Sequence, residues 1–144
     1  MATGDRKDPY RTFNFRVEID GITRAGFREC SGLDTSQDPV DYREGTDPLH
    51  VRKLPGLVKY SAISLKWGIT DDVELWEWRK KAMDGSVERK NGSVILMNDA
   101  GEEKVRWNFR EGWPNKWTGP TFNAAGNEVG IETLEIAHEG LEKA

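Results

Sequence analysis

The stretch YRTFNFRVEID, residues 10–20, decides the fold class. Phe13, Phe15, Val17 and Ile19 fall on one face of an extended chain, and Asn14, Arg16, Glu18 and Asp20 on the other. That two-residue period is the mark of a strand with one side on a core. Asp20-Gly21 follows at once, and such a pair supplies the positive φ angles of a tight hairpin turn. Ile22 to Cys30 is therefore expected to return antiparallel, with Ala25 and Phe27 turned inward.

Outward from this point the same alternation recurs with interruptions. From Leu33 to Tyr42 it weakens and Pro39 breaks it, which confines the piece to an edge, a bulge or a strand completed from outside the subunit. Residues 43–56 read as an extended polar loop with proline turns at Asp47-Pro48 and Leu54-Pro-Gly56. Lys59 to Ile69 reads as a strand, with Ile63, Leu65, Trp67 and Ile69 opposed to Ser64, Lys66 and Gly68. A helix is expected over 71–84: Asp71 and Glu74 have capping-box spacing, Arg79, Lys80 and Lys81 lie toward its end, and Gly85 offers the stop. Its apolar residues form two strips, Val73, Trp76 and Met83 beside Leu75, Trp78 and Ala82. Ser93 to Asn98 and Lys104 to Trp113 form a hairpin around Asn98-Asp-Ala-Gly101, with Val105, Trp107 and Phe109 inward. Pro114 to Asn127 reads as loop and Glu128 to His138 as a last strand. With 1–8 as a flexible N-terminus, residues 1–144 make one mainly β domain, an antiparallel sandwich or barrel-like fold with one α-helix.

Charge and composition narrow the function. The 21 basic and 25 acidic side chains are interleaved, so no cationic excess exists to hold phosphate backbones or anionic lipid. A single cysteine, Cys30, rules out an internal disulfide and a cysteine-based zinc site, and suits a reducing cytoplasm. The start has no apolar core of a signal peptide, and the longest aliphatic run, Val94 to Met97, is far short of a membrane span, so no membrane anchor is expected.

Catalytic groupings are missing. The phosphate-loop, dinucleotide, nucleophile-elbow and zinc-protease motifs are all absent. His50 and His138 lie far apart, and isolated histidines at strand ends more often fill a hydrogen-bonding role than a catalytic one. Cys30 reads as a small buried hydrophobe rather than a reactive thiol. Helix capping and turn formation account for Asp71-Asp72 and Glu102-Glu103. Trp107 shares its face with Val105 and Phe109, which favours core over a sugar-stacking platform, while Trp113 and Trp117 stay open. No catalytic residue, metal or cofactor is expected.

Short motifs in a fixed order carry a resemblance over almost the whole chain. They run from Asp8-Pro-Tyr10 and Phe15-Arg-Val-Glu-Ile-Asp-Gly21 through Ala25-Gly-Phe27, Ser31-Gly-Leu33, Tyr42-Arg-Glu-Gly45 and Val51-Arg-Lys-Leu-Pro-Gly-Leu57. Trp76-Glu-Trp-Arg-Lys80, Arg89-Lys-Asn-Gly-Ser93, Asn127-Glu-Val129 and Ile131-Glu-Thr-Leu-Glu-Ile-Ala-His-Glu-Gly-Leu141 continue them. The sequence resembles the tail tube proteins of contractile-tailed phages and the inner-tube proteins of phage-tail-like contractile injection systems. Gly130 and Asp38-Pro39 are small departures from that pattern.

The resemblance implies a tail-tube fold whose copies form hexameric rings, stacked into a hollow tube inside a contractile sheath. It implies a sheath, a baseplate and a spike as partners, DNA or an effector protein as luminal cargo, and assembly in the bacterial cytoplasm into a virion tail or tail-like particle. No catalytic residues belong to such a family. On this picture Tyr42, Arg43, Glu44, Asp47, Arg52 and Lys53 are expected at a subunit or ring interface, since a long charged loop is uncommon without a task. Ala62, Ser64 and Lys66 are expected to face the lumen. The alternatives are a type VI secretion tube protein and, more remotely, a monomeric carbohydrate-binding β module.

Overall fold

The computed structural model describes residues 9–22, 26–46 and 49–144. Nine strands and one helix follow in the order β1 (Phe15–Ile19), β2 (Glu29–Ser31), β3 (Thr35–Tyr42), β4 (Arg52–Tyr60), β5 (Ile63–Gly68), α1 (Glu74–Met83), β6 (Lys90–Met97), β7 (Glu103–Thr118), β8 (Ile131–Ala137) and β9 (Gly140–Lys143) among the described residues. Seven strands make one antiparallel sheet in the order β1-β6-β7-β8-β5-β2, with β9 added to β7; among the described residues β3 and β4 pair only with each other.

Strand β7 folds the large sheet onto itself. Its first part pairs β6 and β9, and its last part, from Trp113 on, pairs β8. Between them Glu111 takes a φ of 55°, and its N–H donates to Asn91 Oδ1 at 3.1 Å. A non-glycine residue in that region marks a bulge, and here the ladder with β6 slips between Lys90 and Gly92. The bend brings Val17, Ile19, Val94 and Phe109 from one half against Ile63, Leu65, Trp67, Leu134 and Ile136 from the other, all in one core. Ile63, Leu65, Leu134 and Ile136 have no exposed surface, and each such side chain contributes roughly 1.5–3 kcal/mol by leaving water. Phe109 lies so close under Gly92 that a Cβ there would overlap its ring and the Glu18 carbonyl, so only glycine fits.

Several expectations need correction. Asp20-Gly21 does turn the chain, with Gly21 at φ 75° and Ile22 N–H donating to Ile19 O at 2.9 Å, but only a single bridge follows. β1 instead pairs β6, and the expected return strand is reduced to β2, which pairs β5 through Cys30 opposite Leu65. Ala25 lies outside the described residues, whereas Phe27 packs on the core with its ring 6.0 Å from Trp67. Phe13 precedes β1 and is exposed, so the buried face begins at Phe15. The expected strand from Lys59 to Ile69 is two strands parted at Ser61-Ala62, β7 runs on through Pro114 to Thr118, and β9 was not anticipated.

The helix begins later than expected, at Glu74, and its N-cap residue Val73 makes no side-chain cap. Asp72 serves instead, its Oδ1 accepting from Glu74 N–H at 2.9 Å. Gly85 closes the far end at φ 86°. Leu75 and Trp78 are the buried strip, Trp78 Nε1 donating to Glu88 O at 2.7 Å. Trp76 lies half open but stacks edge-on against Trp117 at 5.1 Å, which in turn meets Trp67 at 5.3 Å. Three tryptophans thus run from core to helix. The hairpin at Asn98 is as expected: Gly101 N–H donates to Asn98 O, and Asn98 Oδ1 accepts from Ala100 and Glu102 N–H.

Candidate assembly interface

The stretch expected as an edge, a bulge or a strand completed from outside pairs with the end of the expected 43–56 loop and the residues after it in a two-stranded ribbon. β3 and β4 pair from Thr35 opposite Tyr60 to Tyr42 opposite Arg52, with a register shift between Gln37 and Pro39. The ribbon is tied by ion pairs, Lys59 to Asp38 at 2.8 Å and Lys53 to Asp41, and by Gln37 Nε2 donating to Gly56 O at 2.8 Å. It also carries Val40, Tyr42, Leu54 and Val58 in the open, while Leu57 is 81% exposed. At its far end Val51 and Leu49 are exposed as well. An isolated two-stranded hairpin is marginal in water, because it has no second layer to bury against. A ribbon with this much apolar surface points to a partner outside the protomer.

The expected interface residues gather at that far end. Tyr42 closes β3 and its hydroxyl donates to Glu44 Oε1 at 2.8 Å, which raises the phenol above its usual pKa. Arg52 lies opposite Tyr42 and Lys53 opposite Asp41 in the ladder, while Arg43 and Glu44 begin the connection. Asp47 lies outside the described residues. The expected loop over 43–56 is corrected in one respect, since Arg52 to Gly56 belong to β4. The apolar residues Val40, Leu54, Leu57 and Val58 were not anticipated at this interface; the alternation in their sequence is spoiled by Pro39, Pro55 and the slip beside them.

Ser64 and Lys66 lie on the face of β5 opposite the buried Ile63, Leu65 and Trp67, both half-buried. Ala62 sits in the turn before β5, its carbonyl packed against Gly32. The face bearing Ser64 and Lys66 is polar and charge-matched: Ser64 stands between Ser31 and Glu135, and Lys66 between Glu29 and Thr133. Lys66 lies 3.7 Å from Glu29, and Lys116 3.4 Å from Glu135. β1 and β2 end the large sheet, each with one edge unpaired among the described residues.

The other candidate groups have structural surroundings. Burial, helped by Glu29, pushes the Cys30 thiol up to about 12, which keeps it protonated and unreactive. His138 holds two turns together, its Nδ1 3.1 Å from Gly140 O and its Nε2 3.0 Å from Ser61 O, with the Tyr60 ring tilted against it at 5.5 Å. His50 is exposed in the β3–β4 connection. Among the described residues no group of histidine, cysteine or carboxylate side chains is placed to hold a metal ion.

The profile of the family described as T4-like virus tail tube protein gp19 matches residues 11–142. The chain belongs to that family. Solved relatives agree across nearly the full length. A chain in the extended-state sheath/tube terminator of the extracellular contractile injection system PVC is 28% identical, with a TM-score of 0.86 and coverage of 96% of this chain and 98% of that one. A chain in the tube-terminating cap of the anti-feeding prophage is 27% identical, with a TM-score of 0.84 and coverage of 100% and 99%. Hcp1 from Flavobacterium johnsoniae is similar in fold alone, at 19% identity, a TM-score of 0.55 and coverage of 89% and 94%. Among curated protein sequences none matches. This tail tube protein therefore has the mainly β fold of contractile injection system tubes, and building a tube is its function.

Proposed function

We propose that copies of this tail tube protein close into hexameric rings, that the rings stack, and that the β3–β4 ribbon of each copy seats on a neighbouring copy. The ribbon itself carries this reading: its exposed leucines and valines find no cover among the described residues, and a second copy supplies it. Such a head-to-tail contact propagates as a filament when it does not close on itself. The six-fold symmetrised baseplate of the anti-feeding prophage, to which the fold is similar, supports the ring number. Around this tube we place a contractile sheath, with a baseplate and spike at one end and a terminating cap at the other. The solved relatives come from sheath-tube, baseplate and cap assemblies.

Ser64, Lys66 and, at the turn, Ala62 line the lumen in this reading, because a water-filled channel needs the polar face of a sheet whose other face is core. DNA or effector protein would pass along it. Assembly takes place in the bacterial cytoplasm, and the protein performs no catalysis. The type VI alternative rests on a fold likeness that is weaker in both identity and TM-score.

The test is Arg52→Glu/Lys53→Glu with negative-stain imaging, tubes being grown on native baseplates. Wild type should give tubes of uniform width and the variant short or no tubes. Normal-length tubes from the variant would rule out docking by the ribbon.

A further inference from the structure

The ribbon has a feature that tube formation alone does not require: Pro39 on β3 stands directly opposite Pro55 on β4. In an antiparallel ladder, opposed residues either exchange both N–H···O bonds or point both N–H groups away from each other. Proline has no N–H, so this pair is of the second kind, and each proline leaves a gap where the outer edge of its strand would offer a donor. Along β3 the outward donors fall at alternate residues, Gln37, Pro39 and Asp41, so the gap interrupts the row at its centre. Along β4 it falls at Pro55, next to the slip in register. A strand added to either edge thus loses its bond at the middle of the ribbon and cannot run its length.

We infer that Pro39 and Pro55 prevent a second copy of this chain from zipping along the ribbon by backbone pairing, so that the distal half, Val40 to Tyr42 and Arg52 to Leu54, engages that copy through side chains. This rests on the assembly reading above. Side chains around the gap suit the task, since Val40 and Leu54 are exposed partners across the ladder and Asp41 and Lys53 are charged neighbours. Before assembly the ribbon presents two edges unpaired among the described residues and much apolar surface, the features that template ribbon-to-ribbon aggregation. Prolines at opposed outward positions close both edges at once without removing a bond from the ribbon's own ladder.

The experiment compares wild type with Pro39→Val/Pro55→Val, each pure and without baseplates, by thioflavin fluorescence, light scattering and electron microscopy. The double variant should associate at least tenfold faster into thioflavin-positive ribbons, with its near-ultraviolet tryptophan signal unchanged. Adding Asp41→Pro to Pro39→Val alone, whose β4 edge Pro55 still closes, restores a gap two residues along β3 and should slow association again. Identical unseeded behaviour of wild type and double variant overturns the inference, as does a failure of Asp41→Pro to slow association. Should the double variant lose its tryptophan signal, the single variants, each opening one edge, are read by the same criterion. A wild type that lays down no tube on baseplates defeats the assembly reading instead, and is a separate result from the unseeded comparison.

Discussion

β4 and β5 are neighbours in the chain, parted only by Ser61-Ala62, and both carry aliphatic residues in an extended backbone, yet their side chains meet opposite fates. Ile63 and Leu65 in β5 are wholly buried, whereas Leu57 in β4 is 81% exposed. The difference lies in what each strand pairs with. β5 lies between β2 and β8 and has the other half of the folded sheet beneath it; β4 has only β3. The same local chemistry therefore serves folding in one strand and, in the proposed assembly, association in the next.

The comparison is broken most directly by removing one leucine from each strand. Leu65→Ala should destabilise the isolated protomer by about 2–5 kcal/mol, the transfer loss plus the cavity left in a core that cannot collapse around it. Leu57→Ser should change protomer stability by no more than about 0.5 kcal/mol, as for most exposed sites, but should abolish seeded tube growth. Urea unfolding and electron microscopy read the two effects separately. A large loss of protomer stability with Leu57→Ser would mean that the ribbon belongs to the fold and not to the interface.

Two titrating groups sharpen the contrast. Cys30, opposite Leu65, is pushed up to about 12 chiefly by burial, while the Tyr42 phenol in the ribbon is raised chiefly by its hydrogen bond to Glu44. The folded Cys30 thiol keeps its proton where the unfolded thiol, near 9.0, has lost it. Its contribution is then complete below about pH 9 and declines as pH rises toward 12, because the unfolded chain releases the proton first. Cys30→Ala should flatten that alkaline decline in the urea midpoint. Glu44→Gln should return the Tyr42 titration toward its ordinary value, by ultraviolet difference spectra, and remove the phenol's own share of the alkaline decline while leaving that of Cys30.

Which parts of this were legible in sequence follows from the same division. β1, β5 and the hairpin around Asn98 have clean alternation because one face of each meets the core, and the period survives in the residues. The ribbon has no inner face in the protomer, so nothing imposes a period on it, and the two prolines and the register slip erase what remains. β2 and β9 are three and four residues long and are held by pairing with strands distant in sequence, a cause that local pattern does not record. Tyr42, Arg52 and Lys53 stood out as part of a long polar and charged segment, which is rare; the pairing of β3 with β4 did not, because 43–56 read as one loop although Arg52 to Gly56 belong to β4.

The smallest effect is expected at the ion pair of Asp41 with Lys53, whose side chains are 65% and 63% exposed. Exposed pairs of this kind contribute about 0–1 kcal/mol, since water and salt screen the attraction and both side chains lose freedom. Asp41→Asn should therefore leave the protomer's thermal midpoint nearly unchanged, and raising salt from roughly 0.05 to 0.5 M should not move it further. Tube growth should differ in the proposed assembly, where seating on a neighbouring copy would draw the same lysine out of water, screening would be weaker and a missing counter-charge would count for more. The variant's growth rate on baseplates should then fall and its salt dependence change while its melting stays that of wild type. A midpoint lowered by several degrees would place the ribbon's stability inside the protomer, and the contrast between β4 and β5 would lose its meaning.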